Sequence, residues 1–262
     1  MRKPLAIFTI VKDEPEFLPV WCDHYINHGY GSDLFILDNH SDDNLALEDA
    51  VARDIRVVSV FNDEVDHDWM LKTVQDFQHF LLNSYEAVLF VEVDEFVLTD
   101  PASHYTNLVE YAADMVQPVV RCTGFEVVHQ IGEEDQALIQ SRMLEHRGWW
   151  YPTTQYSKPL LSRVPMMWCK GFHESILVPH KTISVDPNLL LVHLHKLDYA
   201  VARRRLERFR NRKWSKADIA AGAGFQNRCS DEEFEKWFRT NVDNIGAMQP
   251  LEPIPQSVRD VL

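Results

Sequence analysis

Three carboxylates stand together in Glu92-Val93-Asp94-Glu95, at the end of the apolar run Val88 to Val91. Acids at the end of a buried strand must be paired or bound to a cation, because an uncompensated charge out of water is strongly destabilising. Residues 92 and 94 are two apart, so an extended backbone turns both side chains to one face. Hard oxygens in that arrangement suit Mg2+ or Mn2+, ions that also hold substrate phosphates. Glu92 and Asp94 are therefore candidate metal ligands, with a strand end of solvated acids as the alternative.

A second group lies downstream. Leu189 to Leu194 reads as an apolar strand ending in Val192-His193-Leu194-His195-Lys196, which places His193 and His195 on one face. Either imidazole can complete a metal shell or meet a phosphate, and a buried, hydrogen-bonded histidine is the competing reading for each. His173 and Glu174 follow Gly171 in a turn. The faces of Trp149, Trp150, Tyr151 and Trp168 suit stacking on sugar rings, with core packing expected for at least two of them.

These residues need a scaffold, and the first hundred residues supply a regular one. Leu5 to Val11 reads as a strand, Phe17 to His28 as a helix, Asp33 to Leu37 as a strand and Leu45 to Arg53 as a helix. Ile55 to Phe61, Trp69 to Tyr85 and Ala87 to Val93 continue the alternation as strand, helix and strand. Alternating elements of this length predict an α/β chain with a parallel sheet covered on both faces. In such sheets ligands bind beyond the carboxyl ends of the strands, where Lys12 to Glu14, Asp38 to Asp43, Asn62 to Asp68 and Glu92 to Glu95 fall. Tyr199 to Trp214 is an arginine-rich helix, Ser230 to Glu233 a capping box opening a last helix, and the Pro-containing tail is expected to lie extended on the surface.

The 262 residues carry 26 Lys+Arg against 40 Asp+Glu, a formal net charge of -14, which argues against a nucleic-acid backbone as partner. Four scattered cysteines without a Cys-x-x-Cys pair read as reduced thiols. The apolar N-terminal run is interrupted at Lys12, and nothing approaches the roughly 20 apolar residues of a membrane span. A cytoplasmic protein is expected, with peripheral contact to an anionic membrane surface through the Arg-rich helix 199–214 as an option. A solvated, ion-paired face is the other reading of that helix.

Four segments also resemble a known family. Thr9-Ile10-Val11-Lys12-Asp13-Glu14, Leu18-Pro19-Val20-Trp21-Cys22-Asp23-His24-Tyr25, Leu37-Asp38-Asn39-His40-Ser41-Asp42-Asp43 and Phe90-Val91-Glu92-Val93-Asp94-Glu95-Phe96 look like the family 2-like glycosyltransferases. The closest resemblance is to the branch whose motifs read approximately Asn-Glu, Trp-x-x-x-His, Asp-Asn-x-Ser-x-Asp and Asp-x-Asp-Glu-Phe. Lys12-Asp13-Glu14 and Glu92 depart from that pattern. Downstream, Lys158-Pro159, Gly171 to Glu174 and Val192 to Lys196 resemble segments of the same branch.

The resemblance implies a single GT-A domain over 1–262, with a nucleotide-sugar-binding half (1–100), an acceptor and catalytic half (101–197), and C-terminal helices and tail (198–262). The fold expected is a mostly parallel central sheet flanked by helices, with a mixed acceptor-side half. Thr9 and Val11 would flank the nucleobase, Asp38 would contact base or ribose, and Asp94 with Glu92 would hold Mn2+ or Mg2+ on the donor diphosphate. Lys72 and His173 are further donor-side candidates, Lys72 having a solvated helix lysine as its alternative. The chain has neither Gly-x-Gly-x-x-Gly nor Gly-x-x-x-x-Gly-Lys, so phosphate neutralisation falls to metal and side chains. Glu174 is the candidate general base, with Glu95 and Asp198 in reserve and an ion pair of Glu174 with Lys170 or Lys158 as its alternative.

The expected reaction is inverting transfer of a hexose from a nucleotide-diphosphate sugar, UDP-linked, to a saccharide or lipid-linked acceptor in surface-polysaccharide assembly. A catalytically degenerate scaffold and a sugar-nucleotide nucleotidyltransferase are the competing readings, the latter lacking its glycine-rich loop. A zinc hydrolase built on His173, His193 and His195 lacks a recognised ligand spacing.

Overall fold

Apolar residues from Leu5 to Phe8, all wholly buried, form the centre of β1 (Lys3–Val11), and the chain then turns into α1 (Leu18–His28), which accommodates Pro19 in its first turn. The alternation runs on through β2 (Asp33–Asp38), α2 (Leu45–Ala52), β3 (Arg56–Ser59), α3 (His67–Leu81) and β4 (Tyr85–Phe90). The computed structural model describes residues 2–176, 183–242 and 247–262. Strands β3, β2, β1 and β4 pair in parallel in that order, which aligns their carboxyl ends along one edge. Asp66 caps α3 by accepting from the amides of Asp68 and Trp69, fixing the helix start beside that edge.

Beyond β4 the sheet becomes mixed. β5 (Glu95–Thr99), α4 (Leu108–Asp114), β6 (Val119–Val128), β7 (Trp149–Pro152), β8 (Leu161–Ser162) and β9 (Val185–Lys196) follow. Antiparallel pairing carries the sheet from β4 through β8 and β6 to β7. β9 lies parallel to β6 and antiparallel to β5, so His193 has Glu95 opposite on one side and Glu126 on the other. The chain closes with α5 (Tyr199–Arg210), α6 (Lys216–Ala221), α7 (Asp231–Phe238), β10 (Glu252–Pro253) and α8 (Gln256–Arg259). The α/β class, the parallel first half, the mixed second half and the C-terminal helices agree with the sequence expectation.

Two segments differ from it. β4 ends at Phe90 rather than Val93, because the amide of Glu95 donates to the carbonyl of Glu92 (3.0 Å) and closes a turn into β5. The tail is not extended on the surface. β10 pairs with β7, and Ile254, Val258 and Leu262 are buried, so apolar side chains spaced along the Pro-rich segment anchor it to the core.

Candidate active site

A cavity of about 330 Å3 opens beyond the carboxyl ends of β1 to β4. Ile10 and Val11 line it from β1, Asn39 from the end of β2, Asn62 to Asp66 from the segment after β3, and Trp69 and Met70 from α3. Glu92, Val93 and Asp94 line it from the turn after β4, and Arg205 and Phe209 face it from α5. Its position follows from topology, since parallel strands leave their loops, and hence their functional side chains, on this edge.

Asp94, which lines the cavity, lies in a cluster with His193 and His195, in which one ligand atom from each comes within 4.8 Å of the others. The β5–β9 pairing accounts for this, since the amide of Leu194 donates to the carbonyl of Asp94 (2.9 Å) and places the histidines on either side. His193 Nδ1 lies 2.8 Å from Glu126 Oε2, while its Nε2 lies 3.9 Å from Asp94 Oδ2. A carboxylate on one ring nitrogen with the other aimed at a second carboxylate is the usual support of a metal-ligating histidine. Burial lowers the His193 pKa, but Glu126 and then Asp94 outweigh it and the net shift is upward. His195 is pushed down to about 3 by burial and then by Arg205, so its ring is neutral and able to donate a lone pair at neutral pH. One carboxylate and two imidazoles fit a divalent transition metal.

Asp94 already has a cation. Arg205 Nη1 donates to Asp94 Oδ2 at 2.6 Å, and its Nε and Nη2 donate to Glu14 at 3.0 and 3.1 Å. All three side chains are buried. Burial alone would raise the Asp94 pKa, but Arg205, His193 and His195 bring it well below the usual carboxylate range. Glu14 keeps a raised pKa, because burial outweighs Arg205 there.

Glu92 and Asp94 both line the cavity but take different partners. The turn after β4 sends Glu92 to Lys158 Nζ (2.7 Å), which also meets Glu95 Oε1 (2.5 Å). Glu92 is not in the cluster of Asp94, His193 and His195, and the segment that carries it is a turn and not the extended strand expected. Lys158 is buried, and the two carboxylates outweigh that burial to raise its pKa. Glu95 is wholly enclosed and is not among the cavity residues, so its reserve role as a base gives way to a structural one.

No protein-family model and no curated protein matches the sequence. In structure, the chain is similar to glycosyltransferases. A mannosyltransferase from Pyrobaculum calidifontis, in complex with GDP-Man and Mn2+, superposes with a TM-score of 0.46 at 12% identity, over 80% of this chain and 62% of that one. Residues 1-349 of S. aureus TarS in complex with UDP give 0.42 at 13% identity, over 90% and 78%. Glucosyl-3-phosphoglycerate synthase from Mycobacterium tuberculosis gives 0.31 at 15% identity, over 47% and 44%. At such values function has to be argued from the site itself.

The remaining candidates divide sharply. Val11 lines the cavity, whereas Thr9 is fully buried and does not. Asp38 is not a lining residue either, because its Oδ1 accepts from the amide and hydroxyl of Ser41 and shapes the turn. Its neighbour Asn39 takes the lining position, with its Oδ1 accepting from the amide of Asn62 at 2.7 Å. Lys72 points to solvent on α3 and pairs with Asp76 one turn on, away from the cavity. His173 Nδ1 donates to the carbonyl of Gln155 (2.6 Å), and burial and then Lys158 push its pKa down to about 4. It is neither among the cavity residues nor in the cluster of Asp94, His193 and His195, so the structure does not bring the three histidines together as one site.

Glu174 is two-thirds exposed and paired with Arg121, not with Lys170 or Lys158, and it lies outside the cavity lining. Asp198 caps α5 and pairs with buried Arg147. Both are therefore engaged structurally. Trp150, Tyr151 and Trp168 are buried, Trp168 donating to the carbonyl of Pro159 (2.9 Å), so core packing takes most of that aromatic group.

The arginine-rich helix is bound to its own protein. Arg204 and Arg208 reach Glu16, Arg205 reaches Glu14 and Asp94, and Arg212 lies 3.5 Å from Asp13. Arg203 and Arg210 meet Asp231, while Lys213 meets Asp63 and Glu64. The cations of this helix thus have carboxylate partners within the fold. Among the described residues no helix is long and apolar enough to cross a membrane.

Sequence reading missed Glu126, Arg205, Asn39 and a second cleft of about 420 Å3. That cleft is lined by Glu126, Tyr151, Gln155, Tyr156, Lys196 and Trp237, among others. Tyr156 stacks on His193 at 3.8 Å and Trp237 meets His195 edge-on at 4.9 Å. The two histidines therefore touch the lining of the second cleft while clustering with Asp94 of the strand-end cavity.

Proposed function

We propose that this chain is a divalent-metal-assisted glycosyltransferase that moves a hexose from a nucleotide-diphosphate sugar to a saccharide hydroxyl. The observation that carries the reading is Asp94 at the strand-end cavity, grouped with His193 and His195 and backed by Glu126. A metal held there would neutralise charge developing on the departing diphosphate. Two imidazoles disfavour Mg2+, which takes oxygen ligands, and point to Mn2+ of the two ions considered.

In this reading Val11, Asn39 and Asn62 line the nucleoside end of the donor cavity. The acceptor enters from the second cleft, where Trp237 offers an aromatic face and Gln155 and Lys196 offer polar groups. Glu92 replaces Glu174 as the carboxylate that takes the acceptor proton, since it lines the donor cavity, is about a third exposed and is oriented by Lys158. With Glu92 taking its proton, the acceptor oxygen displaces the nucleoside diphosphate in one step and the anomeric carbon inverts. A UDP-linked donor and a saccharide or lipid-linked acceptor are part of the same proposal.

Mutation of the two candidate bases separates them. Glu92→Gln should lower transfer by about a hundredfold or more with the Mn2+ affinity kept, whereas Glu174→Gln should stay near wild type. The reverse ranking would return the base role to Glu174.

A binding scaffold is the second reading, favoured by the Arg205–Asp94 ion pair, which satisfies Asp94 without a metal. Thermal shift with UDP- and GDP-sugars, with and without Mn2+, tests donor binding, because a ligand bound to the native state raises apparent stability. Mn2+-dependent hydrolysis of UDP-glucose or UDP-galactose without acceptor is then expected. Donor binding without hydrolysis would favour the scaffold. A shift with Zn2+ alone and with no sugar nucleotide would remove the transferase reading.

A further inference from the structure

Arg205 holds the carboxylate that the proposed metal requires. Its guanidinium is fixed on three sides: Nη1 on Asp94 Oδ2 at 2.6 Å, Nε and Nη2 on Glu14, and the Phe17 ring 4.8 Å from its central carbon. Asp94 Oδ2 is also the oxygen that faces His193 Nε2, at 3.9 Å. A divalent ion shared by these two ligand atoms would sit within a few ångströms of Nη1, where like charges repel strongly because the surroundings are buried.

We propose that Arg205 is a built-in competitor for the metal site: it neutralises Asp94 in the metal-free protein and sets how tightly a divalent cation binds. The inference rests on the reading of Asp94, His193 and His195 as a metal site.

The rest of the local structure agrees with this role. Attachment of α5 to the segment 13–16 does not depend on the Asp94 contact, since Arg204, Arg208 and Arg212 already reach Asp13 and Glu16. Arg205 adds a bond to Asp94 from a position that lines the cavity. Glu14 lets the guanidinium remain compensated when Asp94 turns to a metal, so the exchange leaves no bare buried charge. In the metal-free protein Asp94 is likewise compensated, which keeps an acidic cavity wall stable before any ligand arrives.

Removing the competitor should therefore tighten metal binding. The test titrates Mn2+ into chelator-stripped protein and follows free Mn2+ by electron paramagnetic resonance. The wild type, Arg205→Met/Glu14→Gln, Arg205→Lys and Asp94→Asn are compared. Glu14→Gln accompanies Arg205→Met so that Glu14 is neither left uncompensated nor recruited as a new ligand.

The double variant is expected to bind Mn2+ at least about tenfold more tightly than wild type. Arg205→Lys, which keeps the charge, should stay close to wild type, and the gain should vanish when Asp94→Asn is added. A purely structural arginine would give equal or weaker Mn2+ binding in a double variant with wild-type circular dichroism, and that result overturns the inference. If the double variant does not fold, Arg205→Gln/Glu14→Gln is judged by the same criterion. Asp94-dependent binding in wild type without tightening leaves the metal reading standing and sinks only this inference. Absence of Mn2+ binding in both wild type and variant sinks both.

Discussion

Asp94→Asn is expected to lower metal-dependent turnover of the nucleotide sugar by about a thousandfold, with the fold retained. Asp94 is the anionic member of the Asp94, His193 and His195 group. An amide keeps its volume but removes the charge that draws a divalent ion out of water, and metal stabilisation of the charge developing on a departing diphosphate is worth several kcal/mol, roughly 1.4 for each tenfold in rate. The fold should survive because Arg205 keeps both bonds to Glu14. Glu126→Gln should act in the same direction but less, costing about 10–100-fold in metal affinity, since it weakens the support behind His193 without touching the ion. Mn2+ titration calorimetry, donor hydrolysis and far-UV circular dichroism on the two variants check this ranking. Mn2+-stimulated turnover in Asp94→Asn within tenfold of wild type would end the assignment of Asp94 to the metal.

The sequence made part of this site readable. Apolar runs alternating with helices at the start of the chain place Asp94 at the carboxyl edge of a parallel sheet, and period two along β9 places His193 and His195 together. The period of two was carried through a turn at Glu92, since nothing local says that β4 stops at Phe90. Arg205 left a signal that went unused: it lies between Ala202 and Phe209 at helical spacing, on the stripe that faces the core. What it meets could not be read, since Glu14 and Asp94 are 191 and 111 residues away along the chain. Glu126 is similar, an acid between Phe125 and Val127 in a buried strand, whose partner His193 depends on which strand lies alongside. Glu174 and Lys158 were near enough in sequence to suggest each other, yet Lys158 turns inward to Glu92 and Glu95 while Glu174 turns outward to Arg121. Local pattern identifies charges that must be compensated, and strand order decides by what.

Lys158 carries the largest expected effect on stability. Its ammonium is buried between Glu92 at 2.7 Å and Glu95 at 2.5 Å, and Glu95 has no exposure of its own. Lys158→Met keeps much of the volume but leaves Glu95 charged and enclosed, and breaking a buried pair in this way costs about 3–5 kcal/mol. The loss should depend on pH in a definite direction. Burial raises the Glu95 pKa in the folded protein, with Lys158 pulling against it, so removing Lys158 raises it further. A carboxyl whose folded pKa lies above its unfolded value contributes stability that is complete below the unfolded pKa and is lost as pH climbs through the folded one. The deficit of Lys158→Met should therefore be large at pH 8 and smaller at pH 5, where Glu95 takes up a proton. Urea unfolding of wild type and variant at both pH values measures it, and Lys158→Met/Glu95→Gln should recover most of the loss at pH 8 because the uncompensated charge is gone. Equal losses at pH 5 and pH 8, with no recovery in the double variant, would mean that Lys158 contributes by packing and not as the counter-ion of Glu95.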